Sequence, residues 1–401
     1  MNSAVAAASK QRLRVAFLAK WYPHRDDALS GIFIQQQAMA LIRHCDVAVL
    51  TVAEDPQIAS PAPEIVTEVR DGVTSTHAYL SPQTAADAAL NSHAWSMGWR
   101  ALQSSWGLPD IVHVHVLAEP GRLARQLRQR HGIPYLISEH WSGYLDADGS
   151  YHGSPERRAA TVPVVRDAGC VITVSTALRD AMLARGLVNT YHVIPNVVEQ
   201  RLVIEPPAFT GVLQLLCIAR LSDREKNVSG MIRALAHLPR EHARTFQLDI
   251  IGDGPDRQPL EALAQHLGVA PQVRFHGEQP NQRIPWFLQQ AHALVCNSYF
   301  ETFCIAVAEA LVHGLPVIVT KCGGPQDYAR EDSAILVPCD DVAALAAAML
   351  KLRDNYRALR QAARRFDREP FRASTVASRL FSIYAQQVAC TQLAGTATDA
   401  S

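Results

Sequence analysis

The sequence predicts an α/β protein built from two doubly wound domains that face a central cleft. Three observations carry this. The chain has 401 residues, and at roughly 150 residues per domain that is enough for two or three. Short apolar runs alternate with amphipathic helical stretches in two successive series, the pattern of parallel sheets covered by helices on both faces. Between the series, Asn196 to Thr210 is non-periodic, contains Pro206-Pro207 and reads as a linker.

In the first series, strands are read at Leu13–Ala19, Val47–Val52, Ile111–Val116, Pro134–Ser138, Cys170–Val174 and Tyr191–Ile194. Helices are read at Ile32–Arg43, Arg122–Arg130, Pro155–Asp167 and Thr176–Arg185. Alternation on either side of Asp71-Gly72 makes Glu64–Arg70 and Val73–Leu80 an inserted hairpin. In the second series, strands fall at Leu213–Ala219, Gln247–Ile251, Val273–His276, Ala293–Asn297, Pro316–Thr320 and Ala334–Val337. Helices lie at Val228–His237, Gln258–Leu267, Arg283–Gln290 and Phe303–His313. The expected domains are therefore 12–197 and 198–372. A C-terminal helix at Ala373–Ala389, within 373–390, either stays on its own domain or returns to the first. The polar tail from Thr391 is expected to fray.

Composition narrows the function. Thirty-eight Lys and Arg balance 38 Asp and Glu, so no global field collects nucleic acid, and a general polyanion binder is excluded. Eight cysteines are scattered with no C-x-x-C, several inside apolar runs such as Leu216-Cys217-Ile218. They read as free thiols in a reducing cytoplasm rather than as disulfides or a zinc knuckle. Met1 to Lys10 lack the apolar core of a signal peptide, and no run reaches the ~20 apolar residues of a membrane span. Arg122, Arg125, Arg128 and Arg130 form a local basic helix. It is read either as a solvated face or as the surface that meets anionic lipid on the inner face of the membrane.

Ligands of doubly wound sheets lie beyond the carboxyl ends of the strands, so the loops there carry the candidate chemistry. After the strand at Leu213–Ala219, Arg220 and Lys226 flank a loop that runs into a helix. Cations beside a helix N-terminus suit a bound diphosphate; the alternative is a solvated loop neutralised by Asp223, Arg224 and Glu225. Glu301 and Glu309 bracket a segment otherwise apolar nearly all round, so that helix is expected to be buried. At 100° per residue the two glutamates stand about 80° apart and about two turns apart, a spacing suited to two hydroxyl-bearing parts of one ligand. A salt-bridged Glu309 with Glu301 as a helix-start carboxylate is the structural alternative. Gly323-Gly324 and Gly252-Asp253-Gly254 allow close backbone approach to a ligand or simply turn the chain. In the first series, Ser30-Gly31 opens a helix, and Glu139-His140-Trp141 follows a strand. His113, His115 and His140 together are weighed as a metal set, and core packing is expected for most of the tryptophans.

Taken together, these segments resemble family four of the retaining, two-domain GT-B glycosyltransferases. The resemblance spans nearly the whole chain and is strongest from Leu213 to Asp327. It rests on Ile218-Ala-Arg220-Leu with Lys226, Ile251-Gly-Asp-Gly-Pro255, Val273-Arg-Phe-His-Gly277, Glu301 with Glu309 eight residues on, and Gly314-Leu-Pro-Val followed by Gly323-Gly324. Gly31, Asp110-Ile-Val-His-Val-His115, Val174-Ser175 and Ile194-Pro-Asn196 also fit. The resemblance implies a GT-B architecture of two Rossmann-like domains, with the acceptor side N-terminal and the donor side C-terminal. It implies that Arg220 and Lys226 hold the donor diphosphate, that Glu301 contacts the transferred sugar and that Glu309 meets the ribose. Phe303 and Cys304 belong to the same E-x-F-G part of the donor site. Gly31, Gly323 and Gly324 would approach the phosphates and sugar, His276 and Gly277 the base, and His140 the sugar. No metal and no cofactor are implied.

The reading is thus a cytoplasmic bacterial enzyme moving a hexose from a nucleotide-diphosphate sugar to a saccharide or lipid-linked acceptor in cell-surface polysaccharide or glycoconjugate assembly. A nucleotide-sugar epimerase or hydrolase, and a non-catalytic sugar-nucleotide-binding subunit, are the alternatives. Three positions depart from the pattern: Cys304 stands where glycine is usual, Asp327 where a glutamate commonly follows the double glycine, and Val197 where P-N-G has glycine.

Overall fold

Strands that must be covered on both faces are apolar throughout, and β1 (Arg14–Ala19) is buried from Val15 to Ala19. The computed structural model describes residues 12–199 and 211–398. Residues 1–11, residues 200–210 of the linker and residues 399–401 lie outside them. β1 is followed by β2 (Asp46–Glu54), β3 (Glu64–Arg70), β4 (Val73–Leu80), β5 (Ile111–His115), β6 (Tyr135–Glu139), β7 (Val171–Thr173) and β8 (Tyr191–Val193). Among the described residues these form one sheet in the order β3-β4-β2-β1-β5-β6-β7-β8, parallel except for the β3–β4 hairpin. β9 (Leu213–Ile218), β10 (Phe246–Ile251), β11 (Val273–Phe275), β12 (Ala293–Cys296), β13 (Val317–Thr320) and β14 (Ala334–Val337) form a second, wholly parallel sheet in the order β11-β10-β9-β12-β13-β14. That is the doubly wound order whose ligand crevice opens where the winding reverses, beyond β9 and β12. The loops there carry Arg220, Lys226 and Glu301.

Local chemistry sets several helix starts. Ser154 accepts from the Arg157 N–H at 3.2 Å with Pro155 in the first turn, and Ser175 accepts from the Leu178 N–H at 3.2 Å. Asn227, at φ 46°, ends the short helix Asp223–Lys226 and caps Val228–His237 through the Gly230 N–H. Helices at Pro82–Ala86, Ala88–Trp106, Arg240–Ala243 and Val342–Ala363 were not read from the sequence. The second of these sends Trp95 and Trp99 into the core, where both are nearly inaccessible.

The helix Ala373–Thr398 packs against the N-terminal sheet: Val376, Ala377, Leu380 and Tyr384 share a core with Val15, Phe17, Ile34 and Leu41. It runs through Thr391 to Thr398, so the tail is helical where fraying was expected. Neighbours engage the basic helix. Arg125 and Arg166 pair with Asp167, Arg128 donates to the Asp167 carbonyl, and Arg122 pairs with Glu119, so neighbours occupy three of its four arginines. No helix among the described residues is long and apolar enough to cross a membrane.

Among the described residues, the polar contacts that join the domains include an Arg224–Asp148 ion pair at 4.0 Å and hydrogen bonds at Asp327 and Thr302. Asp327 accepts from the Thr176 N–H at 2.6 Å and from the Thr176 hydroxyl, at the first turn of the N-domain helix Thr176–Ala184, where a carboxylate also suits the dipole. Thr302 donates its hydroxyl to the His140 carbonyl at 3.0 Å. Replacing Asp327 by alanine removes two hydrogen bonds worth together about 2 kcal/mol. Solution scattering should then report a larger radius of gyration for Asp327→Ala; an unchanged radius would rule out this clasp as what holds the domains together.

Candidate active site

The ends of β9 and β12 place the central pair. Lys226 closes the one-turn helix after β9, and Glu301 sits in the loop after β12. Lys226 Nζ lies 2.8 Å from Glu301 Oε1, which also accepts from Ser298 Oγ at 2.8 Å. Both side chains are largely shielded, at 22 % and 13 % exposed. Burial weakens the Lys226 ammonium, but the Glu301 carboxylate prevails and holds the lysine pKa above its ordinary value. Arg220 and Lys226 stand in different settings. Arg220 is exposed and makes no ion pair among the described residues, whereas Lys226 is already committed to a carboxylate.

The helix after Glu301 begins at Ile305, because Cys304 adopts φ 63°, ψ 83° and turns the chain into it. An L residue in that left-handed region costs about 1–2 kcal/mol, which explains why glycine is usual at this position. The Cys304 side chain caps none of the first-turn N–H groups, so the helix start is suited to an anion. The helix is not buried all round, as its apolar sequence suggested. Thr302, Ile305, Ala306 and Glu309 form a half-exposed stripe, so Glu309 lies on an accessible face. Phe303 corrects the sequence reading in the other direction. The residue is 2 % exposed, its ring packs against Tyr328 and Phe371, and its carbonyl accepts from the Tyr328 hydroxyl, so it supports the loop from behind.

The glycines hold the site loops together. A Cβ on Gly324 would stand 2.0 Å from the Thr302 carbonyl oxygen and 2.6 Å from the Phe303 nitrogen. Gly323, at φ 113°, bridges Glu301, and the Gly324 N–H donates to the Glu301 carbonyl at 2.8 Å. Their space is thus filled by the Glu301 loop rather than left open to a ligand. Gly252 and Gly254 admit the backbone at Ala219 and Leu221 in the same way. Gly324→Ala should destabilise the protein by about 3 kcal/mol through overpacking, read as a lowered denaturation midpoint. An unshifted midpoint would mean that the loop relaxes freely.

The other candidates lie in separate loops. The Gly252 N–H donates to the Gly277 carbonyl at 2.9 Å, and His276 Nε2 sits 2.6 Å from Asp249 Oδ1, so the His276 ring is tied to its own domain. Across the cleft, Gly31, at φ 58°, opens the helix Ile32–Leu41 against the Trp21 backbone, and Phe33 on that helix lies 4.7 Å from the His140 ring. His140 is buried, which pushes its pKa down to about 3 and keeps it neutral. Its Nε2 lies 3.4 Å from His115 Nδ1, and its Nδ1 is buried without a hydrogen-bond partner among the described residues. His113, His115 and His140 do not make the metal set weighed above: His113 engages Tyr384 and Ser138, each at 2.7 Å, through its two nitrogens.

The structure thus brings together Lys226, Glu301, Cys304, Gly323, Gly324 and, through Thr302, His140. Arg220, His276 and Gly277 cluster around Gly252, and Glu309 lies further along its helix. Sequence reasoning missed Ser298, Thr302 and Thr176. Ser298 was findable as a hydroxyl just beyond a strand end; the other two become visible only once the domains meet.

A six-stranded doubly wound domain beside a second α/β domain, with Arg220, Lys226 and Glu301 in the loops at the switch point, fits the GT-B class. The chain belongs to the group 1 glycosyltransferases: the model described as glycosyl transferases group 1 matches residues 203–368, and the glycosyl transferase 4-like domain matches 30–197. It is similar to the lipopolysaccharide core biosynthesis glycosyltransferase LpsD of Rhizobium meliloti, 37 % identical over 33 % of this chain and 37 % of that one. It is also similar to the glycogen synthase of Mycobacterium tuberculosis, 30 % identical over 65 % of this chain and 64 % of that one. The matches span less than two thirds of the length of either relative. Among solved structures, sucrose-phosphate synthase from Thermosynechococcus elongatus superposes with a TM-score of 0.76 at 21 % identity, covering 94 % of this chain and 100 % of that one. Anabaena Alr3699/HepE in complex with UDP and glucose gives 0.71 at 17 %, covering 94 % and 100 %. These likenesses show the fold.

Proposed function

We propose that the protein is a retaining, metal-independent glycosyltransferase of cell-surface polysaccharide or lipopolysaccharide assembly. It moves a hexose from a nucleotide-diphosphate sugar to a saccharide or lipid-linked acceptor in the cytoplasm. The observation that carries this is the shielded Lys226–Glu301 pair at the start of the helix Ile305–Val312. A protein cation and free N–H groups aimed at one point can stabilise the charge that develops on a departing diphosphate.

In this reading Lys226 and Arg220 neutralise the leaving diphosphate, and Glu301 orients the sugar through its hydroxyls while holding Lys226 in place. Glu309 meets the ribose, the backbone near Gly277 the base, and Gly31 the phosphates from across the cleft. The neutral His140 offers Nδ1 to a sugar hydroxyl. The acceptor oxygen attacks the anomeric carbon on the face from which the diphosphate leaves, and its proton passes to the departing phosphate oxygen. Bond making and breaking on one face keeps the anomeric configuration. The lipopolysaccharide role named for LpsD and the UDP held by the HepE structure support the pathway and the donor class.

The test is transfer from UDP-, GDP- and ADP-hexoses to a lipid-linked saccharide, with the product's anomeric configuration read by proton NMR. An α-linked product from an α-linked donor is expected, undiminished when the protein is treated with chelator. A β-linked product would overturn retention. Release of free hexose, or isomerised donor without transfer, would make the protein a hydrolase or epimerase.

A further inference from the structure

Cys296 ends β12 and Cys304 precedes the next helix, and the loop between them folds back so that their sulfurs lie 3.6 Å apart. Glu301 sits inside that loop. One carboxylate oxygen of Glu301 and the two sulfurs all lie within 4.8 Å of one another. This is the only set of three such groups that converges in this way among the described residues. We propose that Cys296, Glu301 and Cys304 form a binding site for a thiophilic divalent cation such as zinc, and that its occupancy closes the donor site.

The geometry fits the ion. Tetrahedral zinc with sulfur at ~2.3 Å requires sulfurs about 3.8 Å apart, and the two thiols already stand at nearly that separation. The two soft thiolate sulfurs select zinc over magnesium or calcium, and zinc also accepts the one carboxylate oxygen. Three protein ligands leave a fourth position open to water. Cys322 lies against Cys296 but does not converge with the other two ligands, and Cys339 Sγ faces the Ser298 and Tyr299 carbonyls. Neither completes a closed structural site. Cys304 is also unusual as a side-chain-bearing residue at φ 63°, a conformation that points its thiol at Cys296.

Charge balances as well. Binding replaces the two thiol protons with the cation: Zn²⁺ joins two thiolates and one carboxylate, two protons leave, and the resulting unit carries one negative charge. Lys226, 2.8 Å from Glu301, neutralises that charge. The metal then occupies the carboxylate that the proposed reaction uses for the sugar, so a cation that the reaction does not need shuts it off. This last consequence rests on the glycosyltransferase reading; the site itself does not.

Cobalt(II) reports both ligand type and geometry. The full-length reduced protein titrated with Co²⁺ should take up one ion with thiolate-to-cobalt charge-transfer absorption and tetrahedral ligand-field bands, releasing two protons per ion. Zn²⁺ should displace it. Cys304→Gly, which suits the left-handed backbone, and Cys296→Ala should each abolish the charge-transfer band, while Cys390→Ala, on an exposed terminal helix, should retain it. Absence of the band in the unaltered protein, its persistence in Cys304→Gly or Cys296→Ala, or its loss in Cys390→Ala would overturn the site. Stoichiometric Zn²⁺ should also lower transfer at least tenfold, reversibly with chelator. Metal binding without inhibition would overturn the blocking role and leave the transferase reading intact.

Discussion

Lys226→Ala should lower kcat/KM for transfer at least a hundredfold while leaving the fold in place. Lys226 is a shielded cation paired with Glu301 in the loop that leads to the helix Ile305–Val312, and losing one preorganised charge stabiliser costs about a hundredfold or more. The fold should survive because Glu301 keeps its 2.8 Å hydrogen bond from Ser298 and faces the cleft rather than the core. A stability loss of about 1–2 kcal/mol is expected, less than the 3–5 kcal/mol for breaking a deeply buried pair. Arginine should not restore the rate, because its planar fork does not replace a compact ammonium on a single carboxylate oxygen. Steady-state kinetics with the preferred nucleotide-sugar, alongside a denaturation curve, checks both parts. Near-normal turnover would remove Lys226 from the diphosphate role, and collapse of the fold would make the pair a structural bridge.

What the sequence conveyed and what it hid divide along the range of the interaction involved. The hairpin at Glu64–Arg70 and Val73–Leu80 was legible because its turn is local, with Asp71 at φ 52° and Gly72 at φ 80°. Pro155–Asp167 was legible from Ser154 and Pro155 for the same reason. The helix Ala88–Trp106 was not, since its buried stripe of Asn91, Ala94, Trp95, Gly98, Trp99 and Leu102 holds a single large aliphatic residue. Val342–Ala363 hid in the same way, its alanine-rich first turns offering little contrast between faces, and it kinks at Asn355. At the site, Lys226 and Glu301 could be nominated from their places beyond strand ends. Their mutual pairing joins residues 75 apart in sequence, which periodicity cannot show. The direction of the Phe303 ring follows from the backbone turn at Cys304, and the clasp of Asp327 on Thr176 follows from how the domains dock. Local chemistry thus delivered the elements and the loops, and tertiary contact decided which side chains in those loops face one another.

Glu301→Gln separates the two things that Glu301 does. The amide keeps the shape and can still accept from Ser298 and meet a sugar hydroxyl, but it removes the charge that raises the Lys226 pKa. In the native protein that pKa is raised, so the stability contributed by the charged lysine is complete below the ordinary lysine value and would fade only at still higher pH. With glutamine in place, burial is the main influence left on Lys226 and depresses its pKa below the unfolded value. The unfolded chain then binds the extra proton, so stability should rise as pH is raised toward the ordinary lysine pKa, a slope this pair does not give the native protein. At neutral pH the variant should be about 2 kcal/mol less stable, because a largely shielded ammonium has lost its partner. Transfer should also fall about a hundredfold, since Lys226 is no longer held at the helix start and the sugar has lost its charged acceptor. Denaturation midpoints across alkaline pH, paired with transfer rates, read both effects. If the midpoint stays flat and only the rate falls, Glu301 acts on the sugar without setting the charge of Lys226. If stability changes with pH while the rate does not, the pair is an electrostatic strut between the β9 and β12 loops.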